Sequence, residues 1–354
     1  MTFRAFATWF VVAAIAVVAA FVVVLGRPTS HVDPLSREPV FAELRANPDE
    51  VARVTIESRF DTFTFVREDG RWRTPDKHNY PLDENDVREL VVKLTDMRYI
   101  ERKTSHPDRF ERLEVNDIKG ELSEAVHVRI ATAGDKPLAN VIVGRPSARF
   151  IDGSVSGTYI RFPGTDDVWL ASGAVNVQTR LVPWLDRQVV SVPADTVRQV
   201  VVGSGDGTYS LVREGEGDAS SFKIPQAPEG RDVDQRAGQG LVRALAGVTL
   251  EDVKPASEFS LPDEAKHARV ETMDGIAVDL RLAEVDKKPW ATVSASYIGD
   301  AADQSDAAKA ARQRVEEINK RVDGWVYWVP SDMFDRLTAP LEKQLIEEKK
   351  EGQS

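Results

Sequence analysis

"DGRWRTPDKHNYPLDENDVRELVVKL", residues 69–94, is the stretch on which the reading of the fold turns. Asp69-Gly70 is a turn dipeptide, and Arg71, Trp72, Arg73 and Thr74 behind it have the alternation of a short strand. Pro75 closes that strand and opens a loop crowded with polar groups. From Asp83 onward the apolar residues Val87, Leu90, Val91 and Leu94 recur at helical spacing. Asp76, His78, Asp83, Glu84 and Asp86 therefore admit two readings. They are the carboxylate and imidazole ligands of a divalent metal, or they are a loop and a cap. In the second case Asp83 caps the helix, while Asp86 and Glu89 favour its positive N-terminal end.

The rest of the chain offers a comparison, because the stretch has a counterpart about 150 residues later. "RWRTP" at 71–75 matches "SFKIP" at 221–225, and "LVVKL" at 90–94 matches "LVRAL" at 241–245. The helix of the second copy starts behind Asp234. Strand patterns precede both motifs, at 51–56 and 62–66 in one copy and at 197–202 and 208–212 in the other. Strand pairs with a glycine turn follow, at 125–130 and 138–143 against 267–272 and 277–282. "VWLAS" at 168–172 precedes a predicted helix with Leu181, Trp184 and Leu185, and "YWVPS" at 327–331 precedes one with Met333, Leu337, Leu341 and Leu345. The second copy has Gln226, Glu229, Gly230 and Arg231 in the loop and no histidine. What the copies share is the aromatic residue, the proline, the Asp and the leucine pattern. The comparison thus favours the cap over the metal site.

Each copy reads as β-β-β-α-β-β-β-β-α with short turns, and short turns join antiparallel strands. The expected class is α+β: an N-terminal transmembrane helix followed by two duplicated, mainly antiparallel units. The predicted divisions are an anchor at 1–27, a stalk at 28–50, a first repeat at 51–192, a second at 193–345 and a charged tail at 346–354. An insertion at 300–321, rich in Ala, Asp, Lys and Gln, interrupts the second repeat as an exposed helix or loop.

The anchor rests on residues 5–25, AFATWFVVAAIAVVAAFVVVL, which contain no charge and no proline. At roughly 1.5 Å per residue they span about 30 Å, the hydrocarbon thickness of a bilayer. The apolar run continues past its small residues, unlike a cleavable signal peptide. The expected topology is single-pass in the bacterial inner membrane, with the bulk on the periplasmic or extracytoplasmic side.

Composition excludes several chemistries. A net charge of −11 argues against nucleic acid as partner. The absence of cysteine removes disulfides, thiolate catalysis and zinc–cysteine sites. The five histidines, at 31, 78, 106, 127 and 267, include no pair at i, i+4. The "GSGDG" at 203–207 lacks the Lys-Ser/Thr of a P-loop and joins two strand patterns, so it reads as a hairpin turn. No Gly-x-Ser-x-Gly elbow occurs. The tryptophans at 72, 169, 184, 290, 325 and 328 fall on strands or helix faces and read as core. No catalytic, cofactor-binding or metal residue is assigned, and no cofactor is expected.

With "RWRTP" or "SFKIP" before an Asp-led helix, and "VWLAS" or "YWVPS" closing each copy, residues 51–345 resemble the bacterial domain-of-unknown-function 4340 family. The chain departs from it in the 300–321 insertion and in having Arg112-Leu-Glu-Val where Gly-Leu-x-x-Pro is expected after Phe110. The resemblance implies a membrane-anchored, non-enzymatic auxiliary protein that accompanies ABC-transporter permease and ATPase subunits, including those of gliding motility. The expected function is an extracytoplasmic interaction module serving an ABC-type transporter or envelope assembly. One alternative is a ligand-binding or sensory ectodomain with a groove between the repeats. A weaker one is a metal-dependent hydrolase using the acids at 76–86.

Overall fold

Where β-branched and aromatic residues alternate with polar ones, every second side chain is buried and the chain is extended. Val54 and Ile56 point inward from β1 (Arg53–Glu57), Phe63 and Phe65 from β2 (Thr62–Glu68), and Trp72 and Thr74 from β3 (Arg71–Thr74). The computed structural model describes residues 37–118, 123–147, 157–203, 205–215 and 221–346. Ahead of these strands a short helix, α1 (Ala42–Ala46), buries Leu44, and Val40 and Phe41 beside it are buried too. Val40, Phe41 and Leu44 of the expected stalk are therefore buried, while Ala42 and Glu43 face solvent.

The remaining elements follow in chain order. They are β4 (Tyr80–Pro81), α2 (Glu84–Thr95), β5 (Tyr99–Thr104), α3 (Phe110–Leu113), β6 (Val126–Ala131), β7 (Pro137–Pro146), β8 (Gly157–Arg161) and β9 (Val168–Ser172). After them come β10 (Gln188–Ser191), β11 (Val197–Gly203), β12 (Tyr209–Glu214), β13 (Ser221–Lys223), α4 (Gln235–Ala246), β14 (Gly247–Thr249) and β15 (Asp252–Pro255). The chain continues through β16 (Lys266–Thr272), β17 (Ile276–Val285), β18 (Lys288–Tyr297), α5 (Asp306–Val322), β19 (Trp325–Trp328) and α6 (Ser331–Leu337).

One sheet has the strand order β4-β3-β2-β1-β6-β7-β8-β9-β5, another β13-β12-β11-β16-β17-β18-β19-β15, and β10 pairs with β14. Apart from β4, adding ten to each label of the first order reproduces the second. In the second sheet β17 and β18 pair over their full length, Ile276 opposite Tyr297 and Val285 opposite Lys288. The described residues group into two compact units. The first holds residues up to Val51, Ile56–Arg59 and Leu90–Val177; the second holds Ala52–Thr55, Phe60–Glu89 and residues from Gln178 onward.

The expected α+β class with a membrane helix is corrected in two respects. The described chain is mostly β-sheet with a few helices. The helix expected around 181–185 is a single 3-10 turn, Val182–Trp184. Pro183 has no N–H to donate, so an α-helical ladder does not run through it. The closing helix of the second copy likewise stops at Leu337, and only a turn, Leu341–Gln344, follows Pro340. The apolar run 5–25 lies outside the described residues, as do residues 28–36 of the stalk and residues 347–354 of the tail. Among the described residues no helix is long and apolar enough to cross a membrane.

The 300–321 insertion is largely α5. Ser305 caps it by accepting the Ala308 N–H at 3.2 Å, and Ala308, Ala311, Val315 and Val322 form its buried stripe. Asn319 fastens it to β18, donating to the Ala295 carbonyl at 2.8 Å and accepting the Ala295 N–H at 2.7 Å.

Candidate functional site

The loop at 75–83 is built by its own backbone demands. His78 and Asn79 both have positive φ, which reverses the chain between β3 and β4. Asp76 accepts the Thr64 N–H at 2.7 Å. Glu84 accepts the Trp72 N–H at 2.9 Å. Asp83 caps α2 by accepting the Asn85 and Asp86 N–H groups at 2.8 and 3.3 Å. His78 lies 3.5 Å from Glu258 on the exposed surface. Asp86 is raised above the ordinary carboxylate range by partial burial, then by its neighbours Asp83 and Glu89. Three of the four loop acids thus have backbone duties, and among the described residues no cluster of His, Asp and Glu could hold a metal ion.

The second copy performs the same tasks with different residues. Gln226 accepts the Ser210 N–H at 3.0 Å, as Asp76 does for Thr64. Gln235 accepts the Phe222 N–H at 2.8 Å, as Glu84 does for Trp72. Asp234 caps α4 through the N–H groups of Arg236 and Ala237, again at 2.8 and 3.3 Å. The Asp83 N–H donates to the Trp184 carbonyl and the Asp234 N–H to the Gln344 carbonyl, each at 2.9 Å.

Within the second unit the loop seats one large side chain, Tyr80. Its ring stands edge-on to Trp325 with centroids 5.0 Å apart, and 6.4 Å from that of Tyr327. Its hydroxyl donates to the Asp186 carbonyl at 3.2 Å, and Lys77 pairs with Asp252 at 2.7 Å. Burial pushes the Tyr80 and Tyr327 hydroxyls well above the ordinary tyrosine range, so both are neutral and unsuited to proton transfer near pH 7. Burial likewise raises the Asp186 carboxyl, with Arg321 opposing. Tyr80 and Tyr327 carry no local motif. They meet only because β4 and β19 are brought together, and that signal is absent from either stretch read alone.

The other sequence candidates sit in turns, strands and packed positions where they are described. Gly203 ends β11 with a φ of +118°, and a Cβ there would fall 2.5 Å from the Gly207 carbonyl oxygen. The described glycines of "GSGDG" thus close a β11–β12 hairpin, whose register sets Val202 opposite Tyr209. His127 lies between Glu57 at 3.2 Å and Asn140 at 2.6 Å. His106 donates its N–H to Thr104, and His267 sits in β16. His31 lies outside the described residues. Trp184 donates to the Gln178 carbonyl and packs on Phe65, Trp169 packs on Tyr99, and Trp290 packs on Phe259 and Trp328. Trp72 is buried on β3.

A surface feature that sequence pattern did not single out lies at the β16–β17 turn. Met273 is 57% exposed and Ile298, at the end of β18, 36% exposed. They line a groove of about 340 Å³ together with Tyr297 and the charged residues Arg198, Asp274, Asp300 and Asp303. The turn is fixed by the Met273 N–H donating to Thr196 and the Ile298 N–H donating to Gly275, both at 2.8 Å.

The model of a domain of unknown function (DUF4340) matches residues 72–271. No curated protein and no solved structure matches the chain. The match runs from Trp72 of β3 through α4 to Glu271 of β16, covers more than half of the 354 residues, and includes Pro75, Pro225 and both capping aspartates. The chain belongs to the DUF4340 family.

Proposed function

We propose that this protein is a non-enzymatic interaction module at the extracytoplasmic face of the bacterial inner membrane, auxiliary to an ABC-type transporter or envelope assembly. The observation that carries the reading is the Met273–Ile298 groove, where Met273 on the β16–β17 turn and Ile298 after β18 are exposed and their backbone N–H groups are hydrogen-bonded. Exposed apolar side chains set among charged ones occur at protein contacts. The apolar run at 5–25 supports the membrane location by its length and lack of charge. The assignment of Asp76, Asp83 and Glu84 to backbone N–H groups favours this role over a hydrolase.

Co-purification from gently solubilised membranes, followed by mass spectrometry, tests it. Permease or ATPase subunits are expected with the native chain and lost with Met273→Glu/Ile298→Glu. Equal recovery with both chains, or no membrane protein above background, counts against the reading.

A further inference from the structure

The first unit holds a cleft of about 590 Å³ lined by Lys103 and Thr104 of β5, Arg109, Arg112 and Leu113 around α3, and Tyr159 of β8. That volume is in the range of small-ligand sites. Its charge is the reverse of the chain's. The protein carries −11, yet three cations and no described carboxylate line this cleft.

Lys103 of the lining and the neighbouring Arg102 and Arg161 are each paired with an acid, which leaves Arg109 and Arg112 as the cleft's uncompensated cations among the described residues. Arg102 pairs with Asp167, Lys103 pairs with Glu101, and Arg161 pairs with Asp117 at 2.5 Å. The side chains of Arg109 and Arg112 make no ion pair or hydrogen bond among the described residues. Their i, i+3 spacing sets two guanidinium groups on one face of the turn, within reach of a single ligand. Asp108 and Glu111, one place earlier in each case, do not line the cleft.

The wall carrying these arginines is held in place. The Arg161 guanidinium lies 4.8 Å from the Phe110 ring centroid, and its Nε donates to the Val115 carbonyl at 2.6 Å. A Cβ on Gly144 would fall 2.4 Å from the Leu113 carbonyl oxygen, so β7 lies directly beneath the end of α3. Leu113 and Tyr159 pack against the buried cluster of Phe110, Val115 and Ile142. Two cationic forks on a braced support, beside one aromatic and one aliphatic side chain, suit a doubly charged anion with an apolar portion. Guanidinium forks match phosphoryl oxygens in geometry and charge.

We infer that this cleft binds a phosphoryl-bearing ligand through Arg109 and Arg112, with Lys103 at its edge. The site goes beyond the interaction role proposed above and is independent of any transporter partner. Calorimetric titration of the full chain in a neutral detergent tests it with two probes. Inorganic pyrophosphate stands for a soluble diphosphate, and dihexanoyl-phosphatidic acid below its micelle concentration stands for a lipid phosphate. Saturable binding tighter than about 1 mM is expected for at least one probe, weakening about ten-fold per arginine in Arg109→Ala and Arg112→Ala. The preferred probe identifies the source. Arg67→Ala, exposed and outside the cleft, serves as the control and is expected to leave binding unchanged. Failure of both probes to bind overturns the inference. So does an equal loss in the control, or unchanged binding in an Arg109→Ala/Arg112→Ala chain that retains its native circular dichroism spectrum.

Discussion

Asp76 and Gln226 each follow the proline of their repeat, and each accepts a backbone N–H from its repeat's second strand: Thr64 at 2.7 Å for Asp76, Ser210 at 3.0 Å for Gln226. An acid and an amide share one task, so the task needs an acceptor oxygen and not a charge. Asp76→Asn keeps that oxygen and is expected to change stability by less than about 0.5 kcal/mol, while Asp76→Ala costs about 1 kcal/mol. Urea denaturation of the three chains measures both. A large loss in the Asn variant would show that the charge matters.

Asp83 and Asp234 cap equivalent helices at equal distances, 2.8 and 3.3 Å. Replacing either with Ala is expected to cost about 1 kcal/mol, and Ser in either place to recover most of it. The two caps share no hydrogen-bond partner, so the double variant is expected to show the sum. Differential scanning calorimetry of the set tests this; a much larger loss at Asp83 alone would point to a second role for that carboxylate.

Tyr80 fills a space beside Trp325, and its hydroxyl bonds to the Asp186 carbonyl. Tyr80→Ala is expected to cost about 3–5 kcal/mol through the cavity it leaves, and Tyr80→Phe about 1 kcal/mol. The Tyr327 hydroxyl is buried with no hydrogen-bond partner at bonding geometry among the described residues. Tyr327→Phe is therefore expected to leave stability unchanged or raise it, because burying an unsatisfied hydroxyl is unfavourable. A loss of about 1 kcal/mol on equilibrium unfolding would show that this hydroxyl does have a partner.

Glu271 of β16 is pulled up by burial, but hydrogen bonds from Arg198 at 2.7 Å and Arg269 at 2.9 Å outweigh this and hold it below the ordinary range. An acid depressed in the folded state stabilises fully above its unfolded pKa, about 4.3, and loses that contribution as pH falls through the folded value. Glu271→Gln is expected to be less stable than the native chain near pH 7. The gap is expected to close below about pH 4. Asp186, whose carboxyl is raised and whose protonation works in the opposite direction, is present in both chains and cancels from the difference. Urea midpoints across pH test this, and a gap that stays constant would rule out the titration of Glu271 as its cause.

The sequence by itself determined the local elements, because their causes are local. Alternation at Phe63 and Phe65 sets β2, Asp83 and Asp234 start helices by offering an oxygen to free N–H groups, and Ser305 does so for α5. The repeat was visible too, since "RWRTP" and "SFKIP" preserve an aromatic and a proline at fixed spacing. What Asp76 and Glu84 do was not visible. Asp76 meets Thr64 twelve positions back, and an acid that serves a backbone N–H is written like one that could hold a metal. The helices expected after each closing strand shrank because Pro183 and Pro340 interrupt them, and a short helix needs packing to persist. Tertiary structure alone decided the sheet order, the seating of Tyr80 against Trp325, the groove at Met273 and Ile298, and the meeting of Lys103, Arg109, Arg112 and Tyr159. Each joins residues whose separation along the chain carries no periodic signal, and only the pairing of distant strands brings them within contact range.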